Sequence, residues 1–76
     1  MRTYSYVRML VDGVETSSLE IYREHNTFFV YEYDENVFRG SYINVIEYID
    51  RWKRMKDGII EMLESVGKRV KFEQTI

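Results

Sequence analysis

The chain has 76 residues, no cysteine and no proline, with 45% apolar residues, 16% aromatic residues and a net charge of −2. That describes one small domain, which buries only about 60% of its unfolded surface and has little stability to spare. The composition excludes disorder, disulfide cross-links and thiol chemistry, and the acidic balance gives no global positive field to draw in nucleic acid or anionic lipid.

In chain order, residues 4–11 are rich in β-branched and aromatic side chains and predict a first strand. Asp12 and Gly13 follow, a pair that favours the tight hairpin turn requiring positive φ. A second strand is predicted over residues 14–24, with a bulge or irregularity at Thr16, Ser17 and Ser18. His25 and Asn26 make the next turn, since Asn tolerates the left-handed region. Residues 27–34 read as a third strand and Asp34, Glu35 and Asn36 as a polar loop. Residues 37–40 are either a short extended piece or the lead-in to a helix.

The longest periodic stretch is 41–66. Tyr42, Val45, Ile46, Ile49, Trp52, Met55, Ile59, Ile60, Leu63 and Val66 recur at three- and four-residue steps, which places them on one side of an α-helix. Ser41 is suited to cap its start and Gly67 to stop it. Gly58 costs about 1 kcal/mol relative to alanine inside a helix, so a kink at Asp57 and Gly58 is the alternative to one continuous helix. A last strand is predicted over 68–74, where Val70 and Phe72 alternate with Arg69, Lys71 and Glu73. The expected fold is α+β: a two-layer sandwich with a three-stranded antiparallel meander, one long helix and a C-terminal strand. The last strand lies beside either strand one or strand three.

The sheet has apolar groups on both faces. A two-residue turn at His25 and Asn26 sets Tyr22 against Phe29 and Glu20 against Tyr31. Leu19, Ile21, Phe28 and Val30 then share one face, and Glu20, Tyr22, Glu24, Phe29, Tyr31 and Tyr33 share the other. In strand one, Tyr4, Tyr6 and Leu10 point one way and Val7, Met9 and Val11 the other. One helix covers one face, so the second is a solvated tyrosine surface, a partner site or a dimer interface.

Charge is segregated. Residues 12–35 carry Asp12, Glu15, Glu20, Glu24, Glu32, Asp34 and Glu35 against Arg23. Arg51, Lys53, Arg54 and Lys56 cluster in the helix, where Glu47–Arg51 and Asp50–Arg54 are favourable i,i+4 pairs on a solvated face. Carboxylates among aromatic rings suit a basic protein partner better than a phosphate backbone. A nucleic-acid reading would stack bases on Tyr22, Phe29, Tyr31 and Tyr33, or track phosphates along Arg51, Arg54, Lys68, Arg69 and Lys71.

No catalytic or cofactor motif accompanies these features. His25 is the single histidine and would need three or four convergent ligands to form a metal site. Asp34, Glu35 and Asn36 lack the glycine and distal glutamate of a calcium loop. Glu20 and Glu24 stand roughly 13 Å apart by strand rise, too far for a glycosidase pair. Gly13, Gly40, Gly58 and Gly67 are scattered and form no phosphate loop. The expectation is a non-enzymatic chain with no cofactor and no metal. With no apolar run of membrane length and no signal-peptide pattern, it is expected to be cytoplasmic.

In size, lack of cysteine, mild acidity and α+β pattern, the chain is similar to small phage and mobile-element proteins that inhibit host defence or transcription enzymes, including anti-CRISPR-like inhibitors. The similarity is one of general character and rests on no motif. It implies a stoichiometric protein binder whose partner is a basic, nucleic-acid-handling protein. That partner would be met through Glu20, Tyr22, Glu24, Phe29, Tyr31 and Tyr33. The alternative is a small dimeric nucleic-acid-binding regulator.

Overall fold

The computed structural model describes residues 3–76. Among them seven elements form: β1 (Thr3–Val11), β2 (Val14–Glu24), β3 (Thr27–Glu32), β4 (Glu35–Gly40), α1 (Tyr42–Arg54), α2 (Asp57–Ser65) and β5 (Val70–Gln74). The fold is α+β, with a five-stranded antiparallel sheet in the order β4-β3-β2-β1-β5 and the two helical segments forming one bent helix of 24 residues. The last strand therefore joins strand one. The meander gains a strand: residues 37–40 are the extended piece rather than a lead-in, and Glu35 and Asn36, expected in a loop, join them in pairing with β3.

Turn chemistry sets the register. Asp12 and Gly13 both have positive φ, 51° and 82°, as the β1–β2 turn demands. Val11 then faces Val14, and a bulge follows at Thr16, between the pairs Leu10–Glu15 and Met9–Ser17. This one extra residue matters for the whole sheet. Without it Tyr4 would oppose Ile21; with it Tyr4 opposes Tyr22, and the apolar sets of β1 and β2 fall on matching faces. Thr16 secures the bulge by donating from its hydroxyl to the Met9 carbonyl at 3.2 Å.

A second bulge lies in β4. Val37 is the extra residue, between the pairs Val30–Phe38 and Tyr31–Asn36. The Asn36 amide clamps it, donating to the carbonyls of Val30 at 2.9 Å and Phe38 at 3.0 Å. Val37 and Phe38 both pack against the core as a result.

The core lies between one sheet face and α1. Val7, Leu19, Ile21 and Val30 of the sheet meet Val45, Ile49 and Trp52 of the helix. Ser41 caps α1, its hydroxyl accepting from the Asn44 N–H. Trp52 donates its indole N–H to the Glu32 carboxylate at 3.1 Å and meets the Phe72 ring at 6.2 Å, tying α1 to β3 and β5. Tyr48 stacks on Phe38 at 4.8 Å; burial first, and the Glu32 charge second, hold its phenol above the ordinary 10.0.

The bend falls at Met55 and Lys56, two residues before Asp57 and Gly58, where the sequence offered a kink as the alternative to one continuous helix. The Lys56 N–H donates to Lys53 rather than to the residue four back, a tightened turn that redirects the axis. Asp57 is not a cap; it occupies the first turn of α2, where the helix dipole favours a carboxylate. Gly67, at φ 84°, ends α2, with the N–H of Lys68 reaching the Leu63 carbonyl and that of Gly67 reaching Glu64.

The long apolar stripe does not stay in the core. α1 buries Val45, Ile49 and Trp52, but no residue of α2 is buried. Met55 is 82% exposed, Val66 68%, Met62 67% and Ile59 54%. Beyond the bend, α2 packs on the edge strand β5, where Ile60 and Leu63 are half-buried, and its other apolar side chains stay open.

Candidate binding face

The sheet face opposite α1 is covered by no element among the described residues. Register assigns its side chains, among them Tyr4, Tyr6, Arg8 and Leu10 from β1, Glu20 and Tyr22 from β2, Phe29 and Tyr31 from β3, Arg39 from β4, and Lys71 and Glu73 from β5. The pairs Tyr22–Phe29 and Glu20–Tyr31 are those the two-residue turn requires. His25 takes the positive-φ position of that turn at 57°.

Four tyrosines form a continuous row across three strands. Tyr6 and Tyr4 lie 6.2 Å apart, Tyr4 and Tyr22 5.4 Å, and Tyr22 and Tyr31 5.7 Å with ring planes at 81°. Tyr4 and Tyr22 are direct cross-strand partners, and Tyr31 sits on the diagonal, within aromatic reach. The Tyr22 hydroxyl donates to the Glu20 carboxylate at 3.2 Å. At the β1 end, the Arg8 guanidinium stands 3.9 Å over the Tyr6 ring centre, with Glu15 at 3.2 Å and Glu73 at 4.0 Å.

Of the six residues proposed from sequence, Glu20, Tyr22, Phe29 and Tyr31 share the middle of this face. Glu24 lies at the exposed end of β2. Tyr33 differs: it is not in a strand but begins the β3–β4 turn, with φ 52° and 82% exposure. The face also includes Tyr4, Tyr6 and Arg8, which the site assignment omitted. Strand alternation already aligned Tyr4 with Tyr6; placing them beside Tyr22 required locating the bulge to the residue. The turn brings in Asp34 as well, and Glu20, Tyr22, Tyr31 and Asp34 line a shallow depression of about 260 Å³.

The cations considered for a phosphate track do not form one surface. Arg51 and Arg54 lie on the helix layer, whereas Lys71 pairs with Leu10 on the opposite, open face. Lys68 is held 3.5 Å from the Asp12 carboxylate. His25 is an exposed turn residue, and among the described residues no group of three or more His, Asp or Glu converges as a metal site. No helix among them is long and apolar enough to cross a membrane.

The chain matches no protein-family model, no curated protein and no solved structure.

Proposed function

We propose that the chain is a non-enzymatic protein-binding module whose open sheet face meets a basic partner. The observation that carries this reading is the tyrosine row from Tyr6 to Tyr31, bordered by Glu20 and Asp34 on a face that no element covers. Tyrosine suits such a role, because it offers a large amphipathic contact area and loses only two side-chain torsions on binding. Carboxylates at the border steer a cationic partner inward and repel phosphate. In its finer form the reading is a stoichiometric inhibitor of a nucleic-acid-handling protein, whose basic channel the acidic hairpin complements.

A second observation favours self-association. Met55 at the bend, Ile59 and Met62 of α2 and Val66 at its C-terminal cap are all exposed, at spacings of four, three and four residues. An antiparallel two-fold pairing sets Met55 against Val66 and Ile59 against Met62, so the stripe is complementary to itself.

The test of the main reading begins with cross-linked capture of a partner, followed by titration of that purified protein. Glu20→Lys with Glu24→Lys is expected to weaken binding and slow association, and because Glu20 accepts from the Tyr22 hydroxyl, thermal melts of the variant accompany the titration. The same variant is titrated with a mixed-sequence oligonucleotide over a salt series. Micromolar, salt-sensitive oligonucleotide binding that the lysine pair strengthens would replace this reading with the nucleic-acid regulator.

A further inference from the structure

We infer that the depression lined by Glu20, Tyr22, Tyr31 and Asp34 is a cage for the guanidinium head of a partner's arginine. The inference rests on the reading that this face meets a basic protein, and it names the group that is gripped.

Three features of the depression point to a cation of that shape. The Tyr22 and Tyr31 rings, 5.7 Å apart and nearly perpendicular at 81°, both line the depression. Ring faces attract cations through their quadrupole, and guanidinium is the cation that both stacks on a ring and presents a planar fork of donors. Glu20 and Asp34 line the same depression from β2 and from the β3–β4 turn. Two carboxylates beside two rings provide acceptors for that fork as well as a surface for its plane.

The same face already holds a guanidinium in this manner. Arg8 lies 3.9 Å over the Tyr6 ring centre, with the carboxylates of Glu15 at 3.2 Å and Glu73 at 4.0 Å. One tyrosine and two carboxylates thus accommodate an arginine from within the chain. The depression repeats those components with a second ring added. Asp34 depends on the turn for its position: Tyr33 and Asp34 both have positive φ, 52° and 63°, in the turn that sets Asp34 at the depression's border. The open, shallow form of the depression suits a side chain entering from a partner's surface rather than a small molecule enclosed on all sides.

The test is a two-dimensional NMR titration of the full chain with a blocked Gly-Arg-Gly peptide. Its citrulline counterpart keeps the shape without the charge, and its lysine counterpart keeps the charge without the plane. The arginine peptide is expected to shift the amide signals of Glu20, Tyr31 and Asp34 with half-saturation on the order of millimolar, as befits one side chain. Citrulline should leave those signals in place, and lysine should bind at least about 3-fold more weakly. Glu20→Gln with Asp34→Asn should weaken the arginine peptide about 5-fold or more; asparagine is at home at the positive φ of residue 34, so the turn survives. Tyr31→Phe should bind like the parent, because the ring face and not the hydroxyl holds the cation, while Tyr31→Leu should lose the effect. Equal shifts with citrulline, tighter binding of lysine, or shifts centred away from these residues would each overturn the cage. Such a result would leave the partner titration with the Glu20 and Glu24 lysine variants to decide the protein-binding reading on its own.

Discussion

Trp52 joins more of the molecule than any neighbouring side chain. It is 6% exposed, donates to Glu32 in β3, meets Phe72 in β5 and lies under the Lys56 ammonium at 4.4 Å. Replacing it with alanine removes a large buried ring and strands the Glu32 carboxylate. Trp52→Ala is expected to cost about 3–5 kcal/mol, most of what a domain this small possesses, and urea denaturation will show it. Tyr33 has the opposite balance. A bulky residue at φ 52° gives up about 1 kcal/mol of backbone preference, and at 82% exposure it recovers little of that by packing. Tyr33→Asn should raise the unfolding free energy by about 0.5–1 kcal/mol, because asparagine tolerates the left-handed region. If Tyr33 serves the binding face, the same variant should bind the partner more weakly, so thermal melts and partner titrations read stability and binding separately.

The β1–β2 turn is more than a reversal, because it also docks the start of β5. The Asp12 carboxylate accepts from the Arg69 N–H at 2.9 Å and lies 3.5 Å from the Lys68 ammonium, while the Asp12 N–H donates to the Arg69 carbonyl at 2.8 Å. The Arg69 N–H chiefly, with Lys68 adding to it, holds this carboxyl below its ordinary 3.8. A carboxyl whose pKa is lower folded than unfolded adds stability that is complete above about pH 4. That stability fades as pH falls through the folded value. Asp12→Ala should therefore be less stable than the parent at pH 7, and the gap should narrow in strong acid to what the positive φ of residue 12 costs alanine. Amide exchange will show the Arg69 N–H losing protection in the variant at neutral pH. The two bulges are devices of the same kind: one at Thr16 aligns β1 with β2, and one at Val37 turns β4 so that consecutive apolar residues both reach the core.

At the scale of the whole molecule, the tyrosine face and the α2 stripe stand open among the described residues. They lie on different layers, so a partner on the sheet and a second copy on the helix would not compete for the same residues. Met55→Lys with Met62→Lys places charge where the two-fold pairing requires apolar contact. In sedimentation equilibrium the parent's average mass is expected to rise toward a dimer at tens of micromolar, with the lysine variant remaining monomeric. A parent that stays monomeric throughout that range would remove self-association from the account.

The sequence by itself determined the α+β class, the Asp12-Gly13 and His25-Asn26 turns, the bulge region of β2 and the two-faced sheet. These are local properties: positive-φ chemistry at a turn, alternation along a strand and helical spacing act over a few residues. Four of the proposed face residues, Glu20, Tyr22, Phe29 and Tyr31, were legible because a two-residue turn dictates their pairing. Tertiary structure decided the rest. It recruited residues 35–40 as a strand, since Glu35 and Asn36 pair with β3 in a bulged ladder that the Asn36 side chain clamps. It set β5 beside β1, a pairing between segments more than fifty residues apart that local pattern does not encode. It brought Tyr4, Tyr6 and Arg8 to the site, through a register that depends on one unpaired residue. It also left α2 exposed, because helical periodicity states which residues share a side but not how far the sheet beneath them extends.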